Sequence, residues 1–274
     1  MATFLDKLDA AAQRNRSLLC VGLDPHSGLV PPAEVAGFNR EIVEATSDLV
    51  CAFKPNLAFY EALGREGLMA LERTLGAIPG HLPVIGDAKR SDIGSTAEAY
   101  ARALFGVWGF DAVTVNPYLG GDSLEPFLRC KEKGVFILCR TSNPGAADFQ
   151  GLSMKESGLP LYLEVARQAQ GWNVWGNVGL VVGATAPEEL RRVRGICPEM
   201  PILVPGVGAQ GGDLEAAVVH GVDSRGRRAI ISASRQVLYA YRNEGGGVGV
   251  AARRAALGLR DAINQVLDQR GWPW

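Results

Sequence analysis

Short apolar, β-branched runs recur along the chain at near-regular intervals. They are LLCVGLD at 18–24, VCAFK at 50–54, PVIGDAK at 83–89, DAVTVNP at 111–117, VFILCRT at 135–141, VGLVVGA at 178–184, PILVPG at 201–206 and RAIISAS at 228–234. Each is nearly continuous in hydrophobicity and is ended by Gly, Pro, Asp or Asn, as expected of strands buried on both faces of a parallel sheet. Between them, the stretches 33–46, 65–77, 94–107, 122–133, 158–170, 187–197, 212–220 and 248–269 carry apolar residues at three-to-four spacing with charged residues between, the signature of amphipathic helices. The pattern is βα repeated eight times.

At ~34 residues per unit, eight units account for all 274 residues. An open doubly wound sheet would need fewer strands and a Gly-rich fingerprint after the first, whereas the turn at 22–28 reads GLDPHSG. The expected fold is therefore of the α/β class, a single (β/α)8 TIM barrel domain over 1–274, with an N-terminal helix at 1–16 closing the bottom. The longest irregular stretches, SNPGAADFQGLSMKES at 142–157 and QVLYAYRNEGGG at 236–247, follow strand carboxyl ends, where barrel enzymes place their chemistry. Both stand as candidate lids or as solvated surface loops.

Composition narrows the classes of function. The 28 Lys+Arg balance 29 Asp+Glu for a net charge of -1, which gives no basic surface for nucleic acid. No apolar run approaches the ~18 residues of a spanning helix, and the amino end carries Asp6 and Asp9 without an apolar signal core, so a cytoplasmic protein with no membrane partner is expected. Cys20, Cys51, Cys130, Cys139 and Cys197 include no C-x-x-C pair and read as reduced core thiols. His26, His81 and His220 are scattered and signal no metal cage. Trp108, Trp172, Trp175, Phe105 and Phe110 read as packing, and His26 as a solvated loop residue.

The chemistry should sit among polar residues at strand carboxyl ends, because a half-buried ion needs a partner or a purpose. Those residues are Asp24, Lys54, Asp87, Lys89, Asn116, Thr141, Ser142 and Arg235. Asp87 and Lys89 are two apart, so strand alternation puts both on one face. Asp92 follows, and alternating charges so close together hold one another ionised. A structural salt bridge, or Asp92 stabilising a helix amino terminus, would be the plainer explanation. Ser95 with Glu98, however, forms a better capping box and leaves Asp92 without that duty. A second constellation, PGVGAQGGD at 205–213 with SASR at 232–235, combines closely approachable backbone amides with the forked cation of Arg235, at the position where many barrels hold a phosphate. Asn116 stands between ligand contact and turn formation in NPY.

The motifs VGLDP at 21–25, FKPN at 53–56, DAKRSDIGST at 87–96, RTSNPG at 140–145, VPGVGAQGGD at 204–213 and SASR at 232–235 together resemble the orotidine 5′-phosphate decarboxylase family, in its longer-chain bacterial subgroup. The resemblance covers nearly the whole chain, with Asp-x-Lys-x-x-Asp-Ile-x-x-Thr as its specific element. It implies a cofactor-free carboxy-lyase acting on a small nucleotide, and a homodimer with shared sites. Lys54, Asp87, Lys89 and Asp92 would form the charged tetrad. Asp92, Ile93 and Thr96 would serve the partner subunit's site, Asp24 and Lys54 the ribose, and Ser142 the pyrimidine. Gln210 and Arg235 would hold the phosphate, with Pro205 among the substrate contacts. Loss of carbon dioxide from C6 leaves a carbanion that fixed cations must stabilise, which makes Lys89 the proton donor. A metal-dependent phosphosugar decarboxylase or aldolase of the same superfamily is the nearest alternative, and the cation of Lys54 argues against it. A binding barrel without catalysis would be expected to lack Asp87 or Lys89.

Overall fold

The computed structural model describes residues 2–208 and 212–274, and of Glu244 the backbone alone. Eight parallel strands form one sheet: β1 Leu19–Leu23, β2 Ala52–Pro55, β3 Ile85–Arg90, β4 Ala112–Val115, β5 Gly134–Arg140, β6 Val178–Val182, β7 Ile202–Pro205 and β8 Ala229–Ala233. Their spatial order is β2-β1-β8-β7-β6-β5-β4-β3. The ring closes between β2 and β3 through the parallel bridges Phe53–Val84 and Asn56–Asp87, with the Phe53 amide donating to Pro83 O at 3.1 Å. This is the expected (β/α)8 barrel.

Both faces of the strands are buried, which explains the continuous hydrophobicity. Inward-facing Cys20, Ala52, Ile85, Ala112, Phe136, Val181, Leu203 and Ile230 fill the lower barrel, while neighbours such as Leu19, Val21, Phe53 and Val113 pack outward beneath the helices. Helix α1, Phe4–Asn15, closes this lower end as the sequence predicts. Phe4 meets Phe136 edge-on at 5.7 Å and donates its amide to Glu132 O at 2.8 Å. A Cβ at Gly134 would lie 2.5 Å from the Phe4 ring, so the smallest residue at that position admits the plug. Thr3 and Asp6 form a capping box that starts the helix.

The outer layer continues with α2 Val35–Thr46, α3 Leu57–Glu61, α4 Gly64–Ala77, α5 Gly94–Ala101, α6 Gly121–Leu128, α7 Leu161–Trp172, α8 Pro187–Ile196, α9 Leu214–Gly221, α10 Arg235–Leu238, α11 Tyr241–Glu244 and α12 Val248–Gln269. Several details correct the sequence reading. Helix α3 was unforeseen, since five residues are too short to show a helical period. The helix expected over 94–107 becomes a π-helix at Arg102–Val107. The segment 236–247 is built on α10 and α11 and is no irregular loop. The Ser95–Glu98 capping box does not form, because α5 starts at Gly94, two residues too early for Ser95 to cap it. Asp92 Oδ1 instead accepts the Ile93 amide at 2.8 Å, just before that helix. All five cysteines are free thiols, four of them buried. Phe105 and Phe110 are core, Trp108 and Trp172 pack against it, and Trp175 is half exposed. Among the described residues, no helix is long and apolar enough to cross a membrane.

Candidate active site

A cavity of about 650 Å³ opens at the carboxyl ends of the strands. It gathers Asp24 from the end of β1, Lys54 from β2, Asp87 and Lys89 from β3, Ser142 beyond β5, Pro205 at the end of β7 and Arg235 at the start of α10. Seven of the predicted site residues therefore meet. Asp92, Ile93 and Thr96 do not line it; they lie at the start of α5, where Ile93 is 59% exposed. Gln210 lies outside the described residues.

The centre of the site is a carboxylate shared by two ammonium groups. Asp87 Oδ2 receives Lys54 Nζ at 3.0 Å, and Asp87 Oδ1 receives Lys89 Nζ at 2.5 Å. Thr114 on β4 donates its hydroxyl to the same Oδ1 at 2.9 Å. Asp87 and Lys54 are almost fully buried, whereas the Lys89 side chain is 47% exposed towards the cavity. Asp24 Oδ1 accepts the Asn56 amide at 3.1 Å, which fixes the carboxylate at the cavity wall.

Burial alone would raise the Asp87 pKa, but Lys54 and then Lys89 overcome it and hold the carboxyl well below its usual range. Burial alone would likewise neutralise Lys54, and the carboxylates of Asp87 and Asp24 hold that ammonium above its usual value. Asp24, Lys54, Asp87 and Lys89 thus form a sequence of alternating charges that ends on a cation open to the cavity. Such an arrangement can meet developing negative charge and deliver a proton.

Asp87 and Lys89 share a face, but regular alternation is not the reason. Gly86 pairs with Val113 and Arg90 with Val115, so three residues of β3 stand opposite Thr114 alone, and Lys89 takes a left-handed φ of 49°. Across the mouth, Arg235 makes no ion pair with a described residue, and Gly206 adopts φ 94° at the turn after β7. A Cβ at Gly22 would collide with Ser234 Oγ, and one at Gly183 would lie 2.8 Å from Ser142 Cβ. Close packing there sets the positions of Ser234 and Ser142. The 142–157 segment is tied to β5 by Gln150, whose Oε1 accepts the Thr141 amide at 2.8 Å and whose Nε2 donates to Thr141 Oγ1 at 2.9 Å.

Several lining residues escaped sequence reasoning. Thr114 is the one polar side chain in AVTV, and that singularity was the available signal. Tyr239 lies in the segment read as irregular; its hydroxyl accepts the His26 amide at 2.7 Å and donates to Asp24 O at 3.3 Å. His26 and Phe59 also line the cavity, so His26 is part of the wall and not merely solvated. Asn116 lies outside the cavity lining and accepts the Tyr118 amide at 3.1 Å, the turn-forming role.

The chain is similar to known proteins over nearly its whole length. Residues 17–245 match the family model described as the orotidine 5′-phosphate decarboxylase/HUMPS family. An orotidine 5′-phosphate decarboxylase of Roseiflexus sp. strain RS-1 is 56% identical, covering 98% of this chain and all of its own. One from Thermomicrobium roseum is 51% identical over 96% of both chains. Among solved structures, the Leishmania donovani OMP decarboxylase superposes with a TM-score of 0.86 at 42% identity, over 96% of this chain and 98% of that one. The chain belongs to the orotidine 5′-phosphate decarboxylase family.

Proposed function

We propose that the protein decarboxylates orotidine 5′-phosphate to uridine 5′-phosphate and carbon dioxide, the step that completes UMP in pyrimidine biosynthesis, and that it does so in the cytoplasm. The observation that carries this reading is the Asp87 carboxylate held between Lys54 at 3.0 Å and Lys89 at 2.5 Å at the mouth of the barrel. When the bond from C6 to the carboxylate breaks, its electron pair stays on C6. The Lys89 ammonium faces that charge and gives C6 a proton; the resulting neutral amine recovers one from water. Asp87 keeps Lys89 charged and placed without itself becoming protonated.

Arg235, free of acidic partners among the described residues, is suited to the substrate phosphate together with Gln210 and the backbone around Gly206. Asp24 and Lys54 would take the ribose hydroxyls, Ser142 the pyrimidine, and Pro205 the cavity wall beside it. Phosphate binding remote from C6 would draw the 142–157 segment over the ring and exclude water, turning distant binding energy into rate. Half-buried Asp92 with exposed Ile93 and Thr96 would complete the site of a second copy in a homodimer.

Lys54 also separates this reading from metal-dependent phosphosugar chemistry, since its ammonium occupies the Asp87 carboxylate that a divalent ion would need. The test is the decay of orotidine 5′-phosphate ultraviolet absorbance with purified protein, with and without a chelator. Equal loss in both supports the proposal; loss only without chelator, or none, rejects it. Mixing Lys89→Ala with Asp92→Ala protein should restore part of the activity if sites are shared, and no recovery would reject the sharing.

A further inference from the structure

The β3–β4 ladder loses its regular pairing between Gly86 and Arg90, so Asp87, Ala88 and Lys89 face the single residue Thr114. A backbone bulge of this kind leaves amide groups without their ladder partners. Here one hydroxyl takes over. Thr114 Oγ1 accepts the Lys89 amide at 3.0 Å and donates its only proton to Asp87 Oδ1 at 2.9 Å. The side chain is 1% exposed, so water cannot substitute for it.

Lys89 is one of three non-glycine residues with positive φ among those described, at 49°. Such a conformation costs about 1–2 kcal/mol and persists only where surrounding contacts impose it. The same Oγ therefore fixes both ends of the Asp87–Lys89 pair: the backbone that aims the ammonium, and the carboxylate oxygen that receives it. The direction of the bonds is also fixed. Since the hydroxyl must donate to Asp87, the network is satisfied only while Asp87 is an anion.

We propose that Thr114 is a positioning residue for the reaction, holding Lys89 in its left-handed backbone conformation and Asp87 in register with it, so that the ammonium stays aimed at the reacting carbon. The inference rests on the decarboxylase reading, but it can fail separately. If the wild-type protein does not consume orotidine 5′-phosphate, the functional reading falls; if it does, the variants decide the role of Thr114.

Thr114→Val keeps the shape and removes both hydrogen bonds, and Thr114→Ser keeps both bonds. With Val, kcat should fall about 10- to 100-fold with KM within about twofold, because misplacement of a reacting group by about an ångström costs that order of rate while the binding contacts remain. Exchange of the product's C6 hydrogen in deuterium oxide, which reports proton transfer by Lys89 directly, should slow in parallel. Ser should restore both to within about threefold. An unchanged kcat in Val, a loss confined to KM, or a folded Ser variant as slow as Val would each overturn the proposal. If Val fails to fold, the Ser variant and a folded Thr114→Ala protein carry the same comparison.

Discussion

The two ends of the barrel use the same residue types to opposite effect. At the amino-terminal end, Arg228 pairs with Asp9 at 2.8 Å, Lys7 with Asp111 at 2.7 Å, and Arg225 with the buried Asp223 at 3.1 Å. Arg227 donates to Pro273 O at 3.0 Å and lies 4.0 Å from the Trp274 ring. Beneath this layer the Phe4 plug is apolar. These charges tie chain segments together. At the carboxyl end the alternation from Asp24 to Lys89 ends on an exposed ammonium, and Arg235 meets no described acid. The number of charges does not mark the functional end; an interrupted pairing around a cavity does.

Lys89→Ala should separate the ends most sharply. Removing the proton donor and the cation facing the carbanion should lower kcat by about 10⁴-fold, the combined scale of general-acid and electrostatic catalysis. The side chain is half exposed, so the thermal midpoint should move little. Absorbance kinetics beside calorimetry would show it. A large loss of stability with catalysis retained would make the mouth a structural salt bridge like those below.

Phe4→Ala should do the reverse. The ring is 3% exposed and fills the barrel floor against Phe136, so truncation should cost about 3–5 kcal/mol of unfolding free energy. Activity per folded molecule should be unchanged. Urea unfolding with kinetics on the same preparation tests both halves, and a parallel loss of kcat would mean that the floor transmits to the mouth.

The same contrast governs what the sequence could reveal. Strand positions were legible because burial on both faces leaves short, β-branched apolar runs bounded by Gly, Pro, Asp or Asn. Asp87 and Lys89 were legible because ions at strand ends stand out against that background. The bulge was not, since three residues opposite one is a property of pairing between strands and leaves no period in either. Thr114 and Tyr239 were missed for a related reason: their roles depend on partners 25 to 215 positions away. The Ser95–Glu98 box failed because a spacing motif works only if the helix starts where the motif needs it. Thr3 and Asp6 carry a working box at α1.

Acid should act oppositely on the two ends. Asp87 is depressed in the folded state, so its contribution is complete above the ordinary carboxylate value of about 4 and fades as pH falls below it. Asp9 is raised, chiefly by burial against the pull of Arg228, so protonation favours the folded form and its stability rises slightly as pH falls towards 4. Between about pH 6 and 4 Asp9 should lift the urea midpoints slightly against a small pull downwards from His81, whose imidazole is held below its usual value by burial and then by Arg14 and Lys7, and below about 4 they should fall. Asp9→Asn should remove the rise and leave the fall. Midpoints that held steady below about pH 4 would show that Asp87 is not held low.

The smallest effect concerns two positive-φ cations, Lys89 at 49° and Arg228 at 67°. Glycine relieves a left-handed backbone at either place, by about 1 kcal/mol. At Arg228 the relief offsets a pair with half-exposed Asp9 worth about 0–1 kcal/mol, so Arg228→Gly should leave both stability and kcat near wild type. Lys89→Gly should be as well folded, yet inactive. Equal backbone strain at the two ends would then carry different consequences: at the floor, the left-handed turn only routes the chain into β8, whereas at the mouth it aims the group that reacts. An active Lys89→Gly protein, or an Arg228→Gly protein that folds well but turns over slowly, would break that distinction.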